Sequence, residues 1–213
     1  KVTFSGNLSL LNKANYVNFD VTGMVGLSLN ADNVTSNPTG KAILENKGTI
    51  TLGSKSGSDS YYRMVGMQLE SGSSYKIGSE LINNGTITLT SNNNAYMVGM
   101  QINISNDDRY VGKSLVKIGN IKLERGELWQ ANGLIFGDIK NSGLVDSKII
   151  VDGSGGLIDI EATGAVGISI NRANKPQSSN NGMENFKNLN LLINGRGIVG
   201  IIRHTSSIAE DAV

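Results

Sequence analysis

Apolar residues in this chain recur at every second position over short stretches of four to six residues. Ile50 and Leu52 form one such pair, Ile87 and Leu89 form another, and the same spacing returns later in the chain. A spacing of two predicts β-strand, because successive side chains of a strand point to opposite faces. No ten-residue stretch has the spacing of an amphipathic helix. The pattern therefore predicts an all-β fold.

The string MVGMQI at residues 97–102 returns, with conservative changes, five more times. The central glycines of the six strings are Gly26, Gly66, Gly99, Gly133, Gly167 and Gly200, spaced by 40, 33, 34, 34 and 33 residues. A period that stays near 34 residues along the whole chain indicates a repeat architecture. If each repeat makes one circuit, these glycines should lie in a single file at the distance between strands.

Each repeat is predicted to hold three short strands. The first strands are expected at 42–44, 80–82, 114–117, 148–151 and 186–189. The second strands are expected at 49–52, 86–89, 120–123, 157–160 and 190–193. The glycine strings form the third strands, and the less regular N-terminal copy is expected to have strands at 7–11 and 18–21.

Asn and Gly separate the first strand from the second at Asn46-Lys47-Gly48 and at Asn83-Asn84-Gly85. Both residue types tolerate the backbone conformations that a sharp bend requires. Asn in the same turn of successive repeats also suggests that the side-chain amides form a hydrogen-bonded ladder.

Three short strands per constant period predict a parallel β-helix of about six coils, in which equivalent strands stack. The coils are expected around residues 1–40, 41–75, 76–108, 109–143, 144–182 and 183–213, all within one domain. The alternative is a β-sandwich or barrel, whose strands recur every 8–12 residues but require no constant period near 34.

Composition removes several functional classes. The 213 residues carry a net charge of +1 with no basic stripe, which speaks against nucleic acid as a partner. No cysteine is present, so disulfides and Cys-ligated metals are excluded. No run of about 18 apolar residues occurs that could form a membrane-spanning helix. Lys1 is not a start methionine, and we expect the chain to be a mature or excised part of a larger protein.

Two motifs suggest chemistry at first sight. Residues 195–200 match the GxGxxG pattern of dinucleotide-binding folds, which requires a following helix. Here Gly200 belongs to the strand series, so we interpret the match as accidental. His204, the only histidine, is expected at the surface beyond the last coil and not in a catalytic triad.

Carboxylates could cleave polysaccharides if a pair converged. The adjacent Asp107 and Asp108 are interpreted as part of a solvated loop, with calcium binding as the alternative. Asp152 and Asp159 lie at predicted strand ends, and Glu124 and Glu127 flank Arg125-Gly126. No acidic constellation recurs on neighbouring coils. We therefore predict no catalytic residues, no metal site, no cofactor and no enzymatic activity.

Tyrosines and charged residues cluster in the polar loops of the second to fourth coils, a composition suited to a protein or glycan contact surface. The alternative is that the rings only cover the ends of the apolar core. The predicted binding residues are Tyr61, Tyr62, Arg63, Tyr75, Lys76, Asp107, Asp108, Arg109 and Tyr110.

The strings NKGTITL at 46–52 and NNGTITL at 83–89, each followed by a Val-Gly-Met strand, resemble the coils of bacterial type V autotransporter passenger domains. They are most similar to the large fusobacterial outer-membrane adhesins. The resemblance implies a right-handed parallel β-helix stalk on the cell surface, exported through a C-terminal membrane barrel that would lie outside this chain. It implies no catalytic residues.

Three functions stay open at this point. The first is a non-enzymatic, monomeric adhesin segment in which the coils act as a spacer. Its loops at 53–62, 70–78, 105–113 and 172–182 would contact a host or bacterial surface protein or glycan. The second is a polysaccharide lyase or hydrolase on a β-helix, and the third is a fragment of a secreted vacuolating or pore-forming toxin.

Overall fold

A computed structural model of the chain describes most of its length. The described residues are 1–12, 24–30, 41–54, 62–71, 79–91, 95–105, 113–125, 131–140, 148–162, 164–172 and 184–205.

All elements in these ranges are strands, and they follow one another in six sets of three that we number as repeats 1–6. Repeats 1 and 2 contain β1 (Val2–Phe4), β2 (Asn7–Asn12), β3 (Met24–Asn30), β4 (Ala42–Asn46), β5 (Thr49–Ser54) and β6 (Tyr62–Ser71). Repeats 3 and 4 contain β7 (Ser79–Asn83), β8 (Thr86–Ser91), β9 (Ala95–Ser105), β10 (Lys113–Lys117), β11 (Asn120–Arg125) and β12 (Ala131–Lys140). Repeats 5 and 6 contain β13 (Lys148–Asp152), β14 (Ile158–Glu161), β15 (Ala165–Arg172), β16 (Glu184–Lys187), β17 (Leu191–Asn194) and β18 (Val199–Thr205).

Each strand pairs in parallel with the strand three places before it and the strand three places after it. The result is three six-stranded sheets. Sheet 1 has the order β1-β4-β7-β10-β13-β16, sheet 2 runs from β2 to β17, and sheet 3 runs from β3 to β18. The predicted all-β fold with three strands per repeat is confirmed. Among the described strands, those of repeat 1 and repeat 6 form the two edges of every sheet.

The register keeps equivalent residues of successive repeats side by side. In sheet 2, Ile50 is paired with Ile87, Ile87 with Ile121, and Ile121 with Ile158. In sheet 3, Met64 is paired with Met97. Register follows from burial, because a slip by one residue would turn every inward side chain toward solvent.

The core is formed by the inward-facing positions of all three sheets. Leu52, Leu89 and Ile160 of sheet 2 have no exposed surface, and Leu81 of sheet 1 and Met100 of sheet 3 are equally buried. These side chains belong to a single apolar cluster that extends from repeat 2 to repeat 5. Residues of repeats 1 and 6 pack against this cluster but remain partly exposed.

The predicted file of glycines in sheet 3 is confirmed. A Cβ atom built on Gly26, Gly66, Gly99, Gly133 or Gly167 would lie 2.5–2.8 Å from the carbonyl oxygen of the glycine in the next repeat. The same position on Gly66 would also collide with Cγ2 of Ile87, and that on Gly99 would lie 2.5 Å from Cγ2 of Ile121. Only glycine permits this approach of backbone and β-branched side chain. We call the side of each glycine on which a Cβ atom would lie its open side. The open side of these five glycines faces the following repeat.

The turn between sheets 1 and 2 contains the amide contact expected from its asparagines. Nδ2 of Asn46 donates to Oδ1 of Asn83 over 2.8 Å, and both side chains are buried. Oδ1 of Asn46 accepts a hydrogen bond from the backbone N–H of Gly48, and Oδ1 of Asn83 accepts one from the backbone N–H of Gly85. In repeat 4 the amide is replaced by the buried Ile118, so the ladder contains only two asparagines.

Some strand boundaries differ from the prediction. The strand expected at 186–189 is β16, which ends at Lys187 because Asn188 adopts a φ of 54°. The strands expected at 157–160 and 190–193 each begin and end one residue later. The short strand β1 was not predicted, because three residues are too few to show alternation. The strand expected at 18–21 lies outside the described residues.

Candidate functional site

The structure describes little of the predicted binding surface directly. Tyr62 and Arg63 begin β6, and their backbone positions are described. The other predicted binding residues lie outside the described ranges; they are Tyr61, Tyr75, Lys76, Asp107, Asp108, Arg109 and Tyr110.

The strands that flank these residues nevertheless divide them into two groups. Tyr61, Tyr62 and Arg63 stand where the chain passes from sheet 2 to sheet 3 within repeat 2. The remaining six residues belong to 72–78 and 106–112, which join sheet 3 of one repeat to sheet 1 of the next. We call the latter segments, together with 141–147, the sheet 3–1 connections. Within repeat 2, the first group lies at the start of β6 and segment 72–78 follows its end; the ten residues of β6 span about 30 Å if fully extended.

The sheet 3–1 connections begin and end at stacked positions. Ser105, which precedes 106–112, is paired with Lys140, which precedes 141–147. Lys113, which follows the first of these connections, is paired with Lys148, which follows the second. Connections 106–112 and 141–147 are therefore anchored at both ends on adjacent strands, one inter-strand spacing of about 4.8 Å apart.

Where the strands of sheet 3 begin, the register pairs a charged residue with an aromatic residue. Tyr62 is paired with Ala95, and Arg63 is paired with Tyr96. The sequence alone could not assign Tyr96 a neighbour, because the register between repeats 2 and 3 is set by the core positions of β6 and β9.

The outward face of sheet 2 changes character along the stack. Thr51 and Thr88 are neighbours in repeats 2 and 3, and the same row continues as Lys122 and Asp159 in repeats 4 and 5. The ammonium of Lys122 forms an ion pair with Glu124, which raises the pKa of Lys122, with a further contribution from Asp159. Two of the carboxylates considered for catalysis, Glu124 and Asp159, thus share a solvent-facing sheet surface with a lysine.

Asp152, the third carboxylate considered, closes the turn after β13. Its Oδ1 accepts hydrogen bonds from the backbone N–H and the hydroxyl of Ser154, at 3.0 and 2.5 Å. Lys187 of the next repeat lies 3.2 Å from Oδ2. The Ser154 bonds, and then Lys187 and Asn188, hold the pKa of Asp152 well below its usual range. A general acid for glycoside cleavage needs the opposite shift, so Asp152 is suited to closing the turn.

A second polar cluster on sheet 1 ties three repeats together. Glu45 of repeat 2 is only 5% exposed, and its carboxylate contacts Nζ of Lys1 at 2.8 Å, Nδ2 of Asn84 at 3.0 Å and Nζ of Lys47 at 3.6 Å. The hydrogen bond from Lys1 lowers the pKa of Glu45, and burial opposes that effect only in part. Sequence reasoning missed this cluster, whose only signal is an acidic residue inside an otherwise apolar strand string.

Both motifs that suggested chemistry lie in strand structure. Gly200 of the GxGxxG match belongs to β18 and its carbonyl oxygen stacks on Gly167, so the strand interpretation of the match is confirmed. His204 also lies in β18, where it is paired with Asn171. Its expected position beyond the last coil was therefore wrong, because sheet 3 extends five residues past Gly200.

Two further tests concern only the described part of the chain. Within it, no three His, Cys, Asp or Glu side chains are grouped so that they could bind a metal ion. The same residues include no helix with the length and hydrophobicity needed to cross a membrane.

Comparisons of the chain with protein-family models, with curated proteins and with solved structures found no match.

Proposed function

We propose that this chain is a non-enzymatic segment of a cell-surface adhesin of the autotransporter passenger type. In this proposal the three sheets are the faces of a right-handed parallel β-helix that acts as a rigid stalk. The sheet 3–1 connections, and separately the region of Tyr61–Arg63, are its contact surfaces for a host or bacterial protein or glycan. Export to the cell surface as a monomer, without a cofactor, completes the proposal.

The order of strand pairing supports the stalk. Each repeat contributes one strand to every sheet, and each strand pairs with its equivalents in the neighbouring repeats. The apolar cluster runs without a break from repeat 2 to repeat 5. Side-chain contacts such as Asn46–Asn83 and Lys41–Glu80, at 2.8 and 2.7 Å, add bonds between repeats. Such a stack would be rigid along its length, and its connecting segments would begin at a constant spacing.

The anchoring of the sheet 3–1 connections is the observation that carries the binding proposal. Segments 72–78 and 106–112 both follow a strand of sheet 3 and precede a strand of sheet 1. The first contains Tyr75 and Lys76, and the second contains Arg109 and Tyr110. Aromatic and cationic residues are the side chains that contribute most at protein contacts. Connection 141–147 has the same length and anchoring but contains no aromatic and no basic residue.

That difference gives a matched test. A chimera in which residues 106–112 are replaced by the sequence of 141–147 keeps the connection length and the paired anchors. We expect its binding to cultured host cells and to bacterial cells, measured by flow cytometry of the labelled chain, to fall on the order of tenfold. Replacing 141–147 with a Gly-Ser sequence of equal length is the control, and should leave binding unchanged.

Equal urea midpoints for the three proteins would establish that the fold is intact. If the chimera binds every cell type as strongly as the unchanged chain, the assignment of this connection to the contact surface is wrong.

A further inference from the structure

Among the described residues, no strand lies beyond the last repeat, repeat 6. We define the C-terminal end face as Phe186, Leu191, Ile193, Gly200 and Ile201, which occupy core positions of β16, β17 and β18. In the described part of the chain these three strands pair on one side only, with β13, β14 and β15. No described strand pairs with their other edges, and the backbone N–H and C=O groups of such an edge can pair with a further strand.

The apolar residues of this face differ in burial from their equivalents one repeat earlier. Ile168 of repeat 5 has no exposed surface, whereas its neighbour Ile201 is 45% exposed. Ile160 is likewise fully buried, whereas its neighbour Ile193 is only partly buried. The residue types are those of a core, but only one of the two neighbouring layers is present among the described residues.

Gly200 is the most informative member of the face. Each of the five earlier glycines in the file has its open side filled by the carbonyl oxygen of the next glycine and by an aliphatic side chain of the next strand in sheet 2. The equivalent position on Gly200 has no described atom within 4 Å. At this position a glycine is required only where a backbone or side-chain group approaches its open side. The glycine at position 200 therefore indicates that one more layer packs there.

The N-terminal end differs at the corresponding corner. Phe4 occupies the position paired with Asn46, and its ring lies 3.7 Å from the Cβ position of Gly6. In repeats 2 and 3 the equivalents of Gly6 are Gly48 and Gly85, which face the backbone of the preceding repeat. The ring of Phe4 thus lies where that backbone would otherwise be, which makes repeat 1 of a second copy a poor fit to the C-terminal end face.

We propose that the C-terminal end face docks a seventh strand triplet of the same repeat type, joined in line within one polypeptide. This triplet adds one parallel strand to each sheet. It places an aliphatic residue, equivalent to Ile87 or Ile121, and a glycine carbonyl against Gly200. The proposal rests on the stacked architecture proposed above and not on adhesion.

The test extends the full chain by a copy of residues 79–105, attached after Val213. Residues 206–213 then form a connection close in length to 72–78. In the extended chain we expect amide protection in β17 and β18 to rise on the order of tenfold or more. The urea midpoint should rise by roughly 0.5 M, as repeat proteins gain stability with each added neighbour.

Gly200→Val makes the test specific for the face. We expect it to leave the unextended chain unchanged and to remove the gain in the extended chain, whereas Gly167→Val should destabilise both. If the extended chain gains neither protection nor midpoint, the proposal is overturned. The same holds if Gly200→Val destabilises the unextended chain, because the face is then already covered. Concentration-dependent association of the unextended chain in sedimentation, abolished by Gly200→Val, would assign the face to a second copy instead.

Discussion

Repeats 3 and 6 carry nearly the same pattern of residues and reach very different degrees of burial. Leu89 in the middle of the stack has no exposed surface, whereas Ile193 at the equivalent end position is partly exposed. Gly99 has a carbonyl oxygen and an isoleucine against its open side, and Gly200 has no described atom there. Burial in this molecule is thus decided by the number of neighbouring layers, and the sequence of a single strand is not sufficient to produce it.

The largest expected effect comes from filling the glycine file. Gly99→Val places side-chain atoms where the Gly133 carbonyl oxygen and the buried Ile121 already lie, 2.6 and 2.5 Å from the Cβ position. We expect a loss of about 3 kcal/mol or more in the free energy of unfolding, measured by urea denaturation. The matched variant Gly200→Val should stay within about 0.5 kcal/mol of the unchanged chain. Comparable losses for both variants would remove the distinction between the middle and the end.

Truncation of core residues should give the next largest difference. Leu89→Ala leaves a cavity between two packed layers, and we expect it to cost about 2–5 kcal/mol in the free energy of unfolding. Ile193→Ala removes atoms that are already part-exposed, and about 1 kcal/mol is expected. Urea denaturation followed by circular dichroism measures both. The comparison fails if the end variant costs as much as the interior one.

The buried amide pair offers a smaller effect of a different kind. Asn46→Ala removes the hydrogen bond to Asn83 and the one to the Gly48 amide, leaving buried polar groups without these partners. A loss of about 1–3 kcal/mol is expected in urea denaturation. Asn190→Ala in repeat 6 removes a bond of 3.0 Å to the Gly156 carbonyl at an exposed position. That loss should be about 1 kcal/mol or less, and the reverse order would contradict the role of burial.

The smallest expected effect is the dependence of folding stability on pH. The pKa of Glu45 is lower in the folded chain than its ordinary value of 4.5, so its ionised form stabilises the fold. This contribution is complete at neutral pH and is lost as pH falls below about 4.5 through the folded-state pKa. Glu45→Gln should therefore reduce stability at pH 7 by about 1 kcal/mol or less, with the difference shrinking toward pH 3. Thermal unfolding across that range measures it.

Asp152 serves as the end-region counterpart. Its pKa is also lowered, but its partners Ser154 and Asn188 are exposed. Asp152→Asn should show a pH dependence of the same sign and a smaller size, because solvent screens the interaction. A variant whose stability deficit grows as pH falls would contradict this sign for either residue.

The strands could be predicted from the sequence where the alternation of apolar residues within one repeat recurred in the other repeats. The period near 34 and the alternation at Ile87 and Leu89 predicted the strand triplets and the glycine file, because each position was supported by equivalents in other repeats. Repeats 1 and 6 were predicted less well. β1 is too short to show a pattern, and the positive φ of Asn188 ends β16 earlier than its apolar residues indicated.

The surface could be predicted only in composition. Tyrosine and arginine in polar segments suggested a contact region, yet no periodicity assigns a neighbour to a loop residue. The neighbours of Glu45 depend on pairing between strands that lie about 40 residues apart in the chain, such as those of Thr3 and Glu45. The same long-range pairing separates Tyr61–Arg63 from the sheet 3–1 connections, which the linear order of residues places close together.

The glycine file has a direction, since the open side of each glycine faces only the repeat that follows. The junctions between repeats 2 and 3 and between repeats 3 and 4 use the same match of glycine to isoleucine. Whole repeats are therefore interchangeable units, provided that their orientation is kept. Insertion or deletion of one whole repeat would keep this match at every junction and change only the number of strands in each sheet.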